Sequence, residues 1–247
     1  MAYLSFITDE NLESHIKKTL SSYFETLRKI DLNSFNENII DPIKLTFDSI
    51  VYKKEIEIII SEEIARQRDK TNTNAIGYFH QNLFAYIANC EIPKHGFDVI
   101  FTGKSKVYVE LKNKHNMMNS SSSQKTYMKM QNQILQEEKC ECFLVEVLAK
   151  KSQNIAWKIS LDSNSLLNDR IRRLSIDKFY EIVTGEREAF VNLCRVLPRI
   201  IAKIVDETTD IIKERDTVYE ELKQKDRDLL KALYLLAFKT YEGFDKF

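Results

Sequence analysis

The stretch that decides the fold is GFDVIFTGKSKVYVELKNKHNMMNSSSSQKTYMKM, residues 96–130. It opens with a short apolar run at 97–101, followed by turn residues at 102–105. From Lys106 to Lys112 apolar and polar side chains then alternate, which is the period of a half-buried strand. Two such runs around a turn that contains Gly103 predict a β-hairpin.

Three charged side chains lie within the predicted hairpin: Asp98, Glu110 and Lys112. Residues two apart on a strand share a face and lie about 6.6 Å apart, so Glu110 and Lys112 are neighbours. If residues 103–105 form a three-residue loop, Asp98 lies opposite Glu110, with Cβ atoms about 4.5–5.5 Å apart. A different loop register would move the partner of Asp98 by one residue. In the first register, two carboxylates and one amine converge on one patch.

This patch has the composition of a metal-dependent phosphodiesterase site. Two close carboxylates repel each other unless a cation lies between them. A few oxygen ligands with room for waters and a phosphate suit Mg²⁺, which lowers the pKa of a bound water. Lys112 would orient that water or stabilise charge in the transition state. The alternative is a solvated hairpin face. Carboxylates inside apolar strands and the serine-rich continuation favour the nuclease interpretation.

The same residues resemble a known family. Asp98, followed by Glu110-Leu111-Lys112, resembles the D…ExK signature of the PD-(D/E)XK nuclease superfamily. The longer string VELKNKHNMMNSSSSQKTYMKMQ, residues 109–131, is similar to type II restriction endonucleases that read GGNCC or GGWCC sites. The resemblance extends from about Asn74 to Gly185. One departure is Pro93, which lies five residues before Asp98 instead of next to it.

The resemblance implies a fold, a reaction and a set of partners. The fold is α/β (α+β), with a mixed central sheet flanked by helices and with helical additions at both ends. Asp98 and Glu110 would hold Mg²⁺, Lys112 would complete the catalytic set, and Gln81 on the preceding helix is a possible accessory residue. The substrate is double-stranded DNA, cleaved by a homodimer at a pseudo-palindromic site. A cognate cytosine methyltransferase would act on the same site without needing to bind the nuclease.

Polar residues that follow the hairpin are the predicted DNA contacts. They donate and accept hydrogen bonds to phosphates and base edges: Asn113, Lys114, His115, Asn116, Asn119, Ser120, Ser121, Ser122, Ser123, Gln124 and Lys125. A flexible linker is the alternative. Ser122 or Ser123 is the expected N-cap of the next helix, whose N-terminus would form an anion site. Arg172 and Arg173 form either a surface basic cluster or bidentate contacts to guanine or phosphate.

Length and charge bound the remaining possibilities. The 247 residues predict a single nuclease domain, with an N-terminal helical part (1–73), a catalytic core (74–185) and a C-terminal helical part (186–247). The chain carries 37 basic and 37 acidic residues, so it has no net charge. Between Lys104 and Lys129, however, six lysines accompany one acidic residue. This local excess is what a neutral protein needs to bind DNA.

The chain has the features expected of a cytoplasmic protein. Its four cysteines have neither zinc-ligand spacing nor a disulfide pattern, which indicates a reducing compartment. The N-terminus has no basic segment followed by a long apolar run, and no stretch approaches 18 apolar residues. We therefore expect no signal peptide and no membrane span.

Periodicity predicts the other elements. Helices are expected at 8–31, 42–61 (with strands as the alternative), 75–90, 175–185, 186–205 with a kink or break at Pro198, and 206–246; strands at 140–148 and 155–160. The strand at 140–148 should add parallel to the hairpin through a crossover helix. The leucine-rich surface of residues 229–238 either packs on the N-terminal helices or forms a dimer seam.

Two other functions are compatible with the same residues. A repair or junction-resolving nuclease would use the same catalytic patch on branched or damaged DNA. A non-catalytic DNA-binding module would keep the carboxylate pair for a structural reason. A restriction endonuclease differs from both in giving discrete fragments from intact plasmid DNA.

Overall fold

The computed structural model describes residues 2–37, 39–115, 118–161, 164–208, 213–242 and 244. The chain divides into two compact units. The first contains Met1–Thr19 and Ile76–Thr208, and the second contains Leu20–Ala75 and Thr209–Phe247. The second segment of the first unit begins at Ile76, two residues after residue 74, the predicted start of the catalytic core. The three-part division itself stays a prediction.

The described residues form helices and strands in the following order: α1 (Asp9–Glu25), α2 (Leu32–Asn36), α3 (Pro42–Tyr52), α4 (Ile56–Gly77), α5 (Phe79–Phe84), β1 (Cys90–Glu91), β2 (Val99–Thr102), β3 (Lys106–Lys114), α6 (Ser120–Gln136), β4 (Cys140–Leu148), β5 (Asn154–Leu161), β6 (Asn164–Ser175), α7 (Ile176–Thr184), α8 (Ala189–Glu207), α9 (Val218–Lys225) and α10 (Leu229–Phe238). None of these helices is both long enough and apolar enough to cross a membrane. All four cysteines are free thiols.

The six-stranded sheet of the first unit has the order β1-β2-β3-β4-β6-β5. Strands β3, β4 and β6 run parallel, and the remaining pairs are antiparallel. The predicted parallel addition of β4 to β3 through α6 is confirmed. So is the fold class, an α/β protein with a mixed sheet flanked by helices.

Helix α6 packs on the sheet face that carries the even-numbered residues of β3 and β4. Tyr127, Met130 and Ile134 are buried, and their spacing places them on one side of the helix. They form one core cluster with strand residues that include Tyr108, Cys140, Cys142, Leu144, Trp157 and Ile171. This packing places α6 on the same face of the sheet as Glu110 and Lys112, which are also even-numbered residues of β3.

The predicted helix at 42–61 is two helices. Helix α3 is capped by Asp41, whose carboxylate accepts from the Lys44 N–H at 3.0 Å, and it ends because Lys53 adopts the left-handed conformation with φ 53°. Helix α4 then runs without a break from Ile56 to Gly77, so residues 75–77 of the predicted helix at 75–90 belong to α4. Only Phe79–Phe84 of that predicted helix forms a separate helix, and the short helix α2 lies before α3.

Two predictions about the C-terminal helices have clear outcomes. Pro198 does not break α8, which extends from Ala189 to Glu207. The leucine-rich helix α10 packs within the second unit, where Leu229 and Leu233 are buried in a cluster with Leu45 and Ile59. This confirms packing on the N-terminal helices.

Candidate active site

The β2–β3 hairpin has a three-residue loop, which is the register that places Asp98 opposite Glu110, because Thr102 pairs with Lys106 and Val99 pairs with Val109. Gly103 is required in this loop: a Cβ there would lie 2.6 Å from the Phe101 ring. Asp98 directly precedes the first paired residue of β2. Its N–H donates to the Val109 carbonyl at 2.9 Å, and its carboxylate accepts from the Leu111 N–H at 2.7 Å. The carboxylate is therefore held against the strand that carries Glu110.

Glu110 makes two ion pairs, one with each oxygen of its carboxylate. Oε1 accepts from Lys112 Nζ at 2.9 Å, the neighbour predicted from strand period. Oε2 accepts from Lys129 Nζ on α6 at 2.8 Å. The Glu110 side chain is only 15% exposed, whereas those of Lys112 and Lys129 are 28% and 37% exposed. The site therefore contains two carboxylates and two ammonium groups.

Lys129 also contacts the chain just before the hairpin. Its Nζ donates to the Gly96 carbonyl at 2.7 Å and lies 4.3 Å from the centroid of the Phe97 ring. Gly96 has φ +96°, a conformation that favours glycine. The turn at Gly96 thus positions a carbonyl and an aromatic ring beside the site.

The two carboxyl groups have pKa shifts of opposite sign. Burial raises the pKa of Asp98, and the nearby Glu110 carboxylate raises it further, against the hydrogen bond from Leu111 and the charges of Lys112 and Lys129. Burial also acts to raise the pKa of Glu110, but the hydrogen bonds from Lys129 and Lys112 outweigh it, so the net shift is downward. The two shifts have different causes, since burial dominates at Asp98 and the two lysine contacts dominate at Glu110.

A second acid–base cluster lies next to this site at the ends of β3, β4 and β6. Glu146 is buried, and its carboxylate accepts from Arg173 Nη2 and lies 3.0 Å from His115 Nδ1. Arg173 Nη2 also donates to the His115 carbonyl at 3.1 Å. These three residues, which we call the Glu146 clasp, hold the end of β3, where the predicted DNA-contacting segment begins.

Strand register explains which arginine faces the site. Glu110 pairs with Leu144, and Leu144 pairs with Arg173, so Arg173 leaves the sheet on the same face as Glu110. Arg172 is one residue earlier and leaves the opposite face. Its Nε donates to Asn154 Oδ1 at 2.6 Å. The two predicted DNA-binding arginines are therefore on different sides of the sheet.

The predicted DNA-contacting segment contains the start of α6. The N-cap is Asn119, whose Oδ1 accepts from the Ser122 N–H at 2.8 Å, so the prediction of Ser122 or Ser123 as the cap is wrong. An earlier N-cap wins because its side-chain oxygen reaches the third residue of the helix. Exposed residues of the segment are Lys114, Asn119, Ser120, Ser121, Ser122 and Lys125, whereas Asn113 and Ser123 are half-buried. Asn116 lies outside the described residues.

Two further residues of the predicted site are held by protein atoms. Gln124 Nε2 donates to the Ser160 carbonyl at 2.8 Å, which links α6 to β5. Gln81 is half-buried on α5, and it is not among the described hydrogen-bond partners of Asp98 or Glu110. Its role as an accessory residue stays a prediction. The neighbouring His80 belongs to an aromatic cluster, with Nδ1 3.0 Å from the Tyr180 hydroxyl.

The donor chemistry of the site fits a hard divalent cation. Within the described ranges, no group of three or more His, Cys, Asp or Glu side chains is arranged to bind a metal. The pair Asp98 and Glu110 supplies two carboxylates, and Mg²⁺ is commonly held by one or two carboxylates while it keeps several waters. The Glu146 carboxylate is already used by Arg173 and His115.

Sequence reasoning missed Lys129 and Glu146 as members of these clusters. Lys129 lies between two methionines on α6, and its contact with Glu110 depends on how α6 packs on the sheet. Glu146 had a visible signal, because it is the one charged residue in the apolar run FLVEVL, residues 143–148. A charge in a buried strand requires a partner.

The mixed six-stranded sheet flanked by helices is consistent with a nuclease core of the PD-(D/E)XK type. The model of the Eco47II restriction endonuclease family matches residues 4–206. The chain belongs to this family and is a site-specific deoxyribonuclease acting on double-stranded DNA. It is 33% identical to the type II restriction enzyme Sau96I of Staphylococcus aureus over 79% of this chain and 78% of that protein. It is 26% identical to the type II restriction enzyme Eco47II of Escherichia coli over 84% and 90% of the two chains.

Proposed function

We propose that the protein is a Mg²⁺-dependent type II restriction endonuclease that cleaves GGNCC or GGWCC sites. The observation that carries the catalytic part is the convergence of Asp98, Glu110 and Lys112 on one hairpin. The target site rests on the resemblance of residues 109–131 to endonucleases of that specificity. A neighbouring cytosine methyltransferase gene and a cytoplasmic location belong to the same proposal.

Asp98 and Glu110 are the residues that would hold the ion. A bound divalent cation polarises the phosphodiester and lowers the pKa of a coordinated water. Lys112, 2.9 Å from Glu110 Oε1, is placed to orient the attacking water or to stabilise negative charge on the phosphate.

The exposed residues from Lys114 to Lys125 are the proposed DNA-contacting surface. The Glu146 clasp fixes the start of this segment, and the Asn119 cap fixes the first turn of α6 within it. The first turn of α6 presents N–H groups and serine hydroxyls, which suit phosphate oxygens. Arg172 leaves the opposite face of the sheet, so we place it outside this surface.

A homodimer is the proposed assembly, because two-fold symmetry matches a pseudo-palindromic site and supplies one active site for each strand. Helix α3 has an exposed apolar stripe at spacing i, i+4, i+7, i+8: Ile43, Phe47, Ile50 and Val51, each at least 50% exposed. Analytical ultracentrifugation at micromolar concentration should give a dimer. A monomer with and without DNA would contradict this part of the proposal.

Cleavage of plasmid DNA tests the proposed function. With Mg²⁺ we expect discrete fragments, and mapping their ends gives the recognition site. Glu110→Ala and Lys112→Ala should each lower the cleavage rate by at least about 10²–10³-fold. Lys178→Ala is the control, because Lys178 is also ion-paired and half-exposed but lies on α7.

Other outcomes would favour the alternative functions. Preference for branched or damaged DNA would indicate a repair or junction-resolving nuclease. Specific binding that survives Asp98→Ala, without cleavage in any divalent ion, would indicate a DNA-binding module. Fragments that end at other sequences would leave the nuclease proposal intact and overturn the GGNCC/GGWCC assignment.

A further inference from the structure

Lys129 is the residue of the site that the reaction as proposed does not use. It approaches Glu110 from α6, whereas Lys112 approaches from the same strand as Glu110. Each lysine occupies one oxygen of the carboxylate, at 2.8 and 2.9 Å. The four charged groups, Asp98, Glu110, Lys112 and Lys129, sum to zero.

We infer that Lys129 is a second active-site lysine, which neutralises the carboxylate pair before a metal ion binds and contacts a DNA phosphate afterwards. The inference rests on the proposed function and extends it. It assigns two successive partners to one ammonium group: a protein carboxylate, then the nucleic-acid backbone.

A divalent cation competes with the two lysine ammonium groups for Glu110. A divalent cation held by Glu110 draws on the same oxygen lone pairs that accept from the two ammonium groups. Lys112 is confined, since it lies two residues from Glu110 on the same strand. Lys129 is more exposed, at 37%, and extends from a helix on a flexible four-carbon stem, so it is the partner that can be released.

A position near the site is available to the released ammonium group. The Gly96 carbonyl at 2.7 Å and the Phe97 ring at 4.3 Å already contact Nζ, and neither contact involves Glu110. A cation over an aromatic face is attracted by the negative face of the ring. Lys129 therefore remains beside the carboxylates after release, where a backbone phosphate would be bound.

The charge of Lys129 should have opposite effects on the affinities for the metal ion and for DNA. With Lys129 present, the net charge of the site changes from 0 to +2 when a divalent ion binds, and the positive site then attracts a phosphate strongly. Without Lys129 it changes from −1 to +1. Lys129 should thus weaken metal binding to the DNA-free protein and strengthen DNA binding to the metal-loaded protein. Because the two ligands share this group, their affinities are coupled.

A purely structural role predicts something different. If Lys129 only connects α6 to the hairpin, its removal should lower the stability of the protein. It should then weaken the binding of both metal and DNA, or of neither. The opposite signs expected for metal and DNA therefore separate the two roles.

The experiment compares Lys129→Gln, Lys129→Arg and the control Lys178→Gln with the wild type. Lys178 is a matched control, because it pairs with Glu181 at 2.7 Å and is 33% exposed on α7. Isothermal titration with Mg²⁺, without DNA, should show that Lys129→Gln binds about fivefold or more tightly than the wild type, within the usual range of coupling between sites. Thermal melting checks that each variant is folded.

DNA affinity is the second readout. A fluorescent duplex containing the mapped site is titrated in Ca²⁺, which shares the oxygen-ligand preference of Mg²⁺. Lys129→Gln should weaken binding and reduce the slope of log K against log salt by about one, as loss of one phosphate contact requires. Lys129→Arg should restore the slope, and Lys178→Gln should match the wild type in both titrations.

Each outcome has one meaning. Tighter Mg²⁺ binding together with weaker, less salt-dependent DNA binding supports the inference. Unchanged or weaker Mg²⁺ binding by Lys129→Gln, or an unchanged salt slope, overturns it while the nuclease proposal stands. If the wild type binds no Mg²⁺ and cleaves no DNA, the proposed function fails first, and the inference fails with it.

Discussion

Two acid–base clusters lie side by side on one face of the sheet, and they differ in how exchangeable their contacts are. Glu110 is 15% exposed and pairs with two lysines that are 28% and 37% exposed. Glu146 is 1% exposed and pairs with Arg173 and His115, at 23% and 21%. Both carboxylates are paired, but only the first is paired with lysine ammonium groups, and one of these extends from a different element.

The difference teaches which paired carboxylate is available to a ligand. A lysine ammonium is a point charge on a flexible stem, whereas the arginine guanidinium is a planar fork that fixes geometry. Arg173 Nη2 also donates to the His115 carbonyl, so the Glu146 clasp is tied to the backbone. An ion can replace a lysine at Glu110, but removal of any member of the clasp leaves buried polar groups without partners.

The largest difference in stability should separate the variants Glu146→Ala and Glu110→Ala. Glu146→Ala leaves the Arg173 charge partly buried and unpaired, so we expect a loss of about 3 kcal/mol in the free energy of unfolding. Glu110→Ala removes a more exposed pairing, and we expect a loss of about 1 kcal/mol or less. Urea unfolding without metal measures both. Equal losses would remove the distinction between the clusters.

A smaller effect is expected at Asn119, the N-cap of α6 within the proposed DNA-contacting segment. Asn119→Ala removes the N-cap of α6 and should lower the free energy of unfolding by about 1 kcal/mol. Asn119→Ser, another good N-cap, should recover most of this. If Asn119→Ser is as unstable as Asn119→Ala, the cap is not what stabilises α6.

The smallest effect concerns Asp98, and its sign depends on pH. The pKa of Asp98 is raised from its usual value near 3.8 by burial, so the folded protein binds a proton more readily than the unfolded chain. Its contribution to stability is fully present below pH 3.8 and is lost as pH rises through the higher folded pKa.

Asp98→Asn should therefore melt higher than the wild type at pH 7.5 in EDTA, by about 1–4 °C. The difference in melting temperature between Asp98→Asn and the wild type should become smaller as pH falls. Added Mg²⁺ should stabilise the wild type alone, because only the wild type keeps both carboxylates. A variant that melts lower than the wild type at pH 7.5 would show that burial does not dominate at Asp98.

Local pattern was sufficient for the hairpin, for β4 and for α7. The alternation from Lys106 to Lys112 and the turn at Gly103 predicted the hairpin, though not which of its loop registers forms, and an apolar run predicted the strand at 140–148. Gly185, with φ 75°, ends α7 as expected. In these elements, the side-chain period and the turn residues act within a few residues of each other, so neighbours in the chain decide the outcome.

Predictions failed where packing overrides local preference. The break at Lys53 separates two helices in a run whose apolar residues favour one helix, and Ile59 and Ile60 of α4 are buried in a different cluster from the sheet core. The two adjacent arginines of β6 have the same local sequence signal, yet the strand places them on opposite faces. No local rule reveals β6 itself, which is largely half-exposed.

The sequence by itself determined the chemistry of the site, since Asp98, Glu110 and Lys112 are brought together by one hairpin whose strand period and loop length are local properties. Only the tertiary structure decided which further charges meet them. Lys129 is 19 residues from Glu110, and Arg173 is 27 residues from Glu146. Those contacts depend on the packing of α6 and on the order of parallel strands, and both are set by burial of side chains that are distant in the chain.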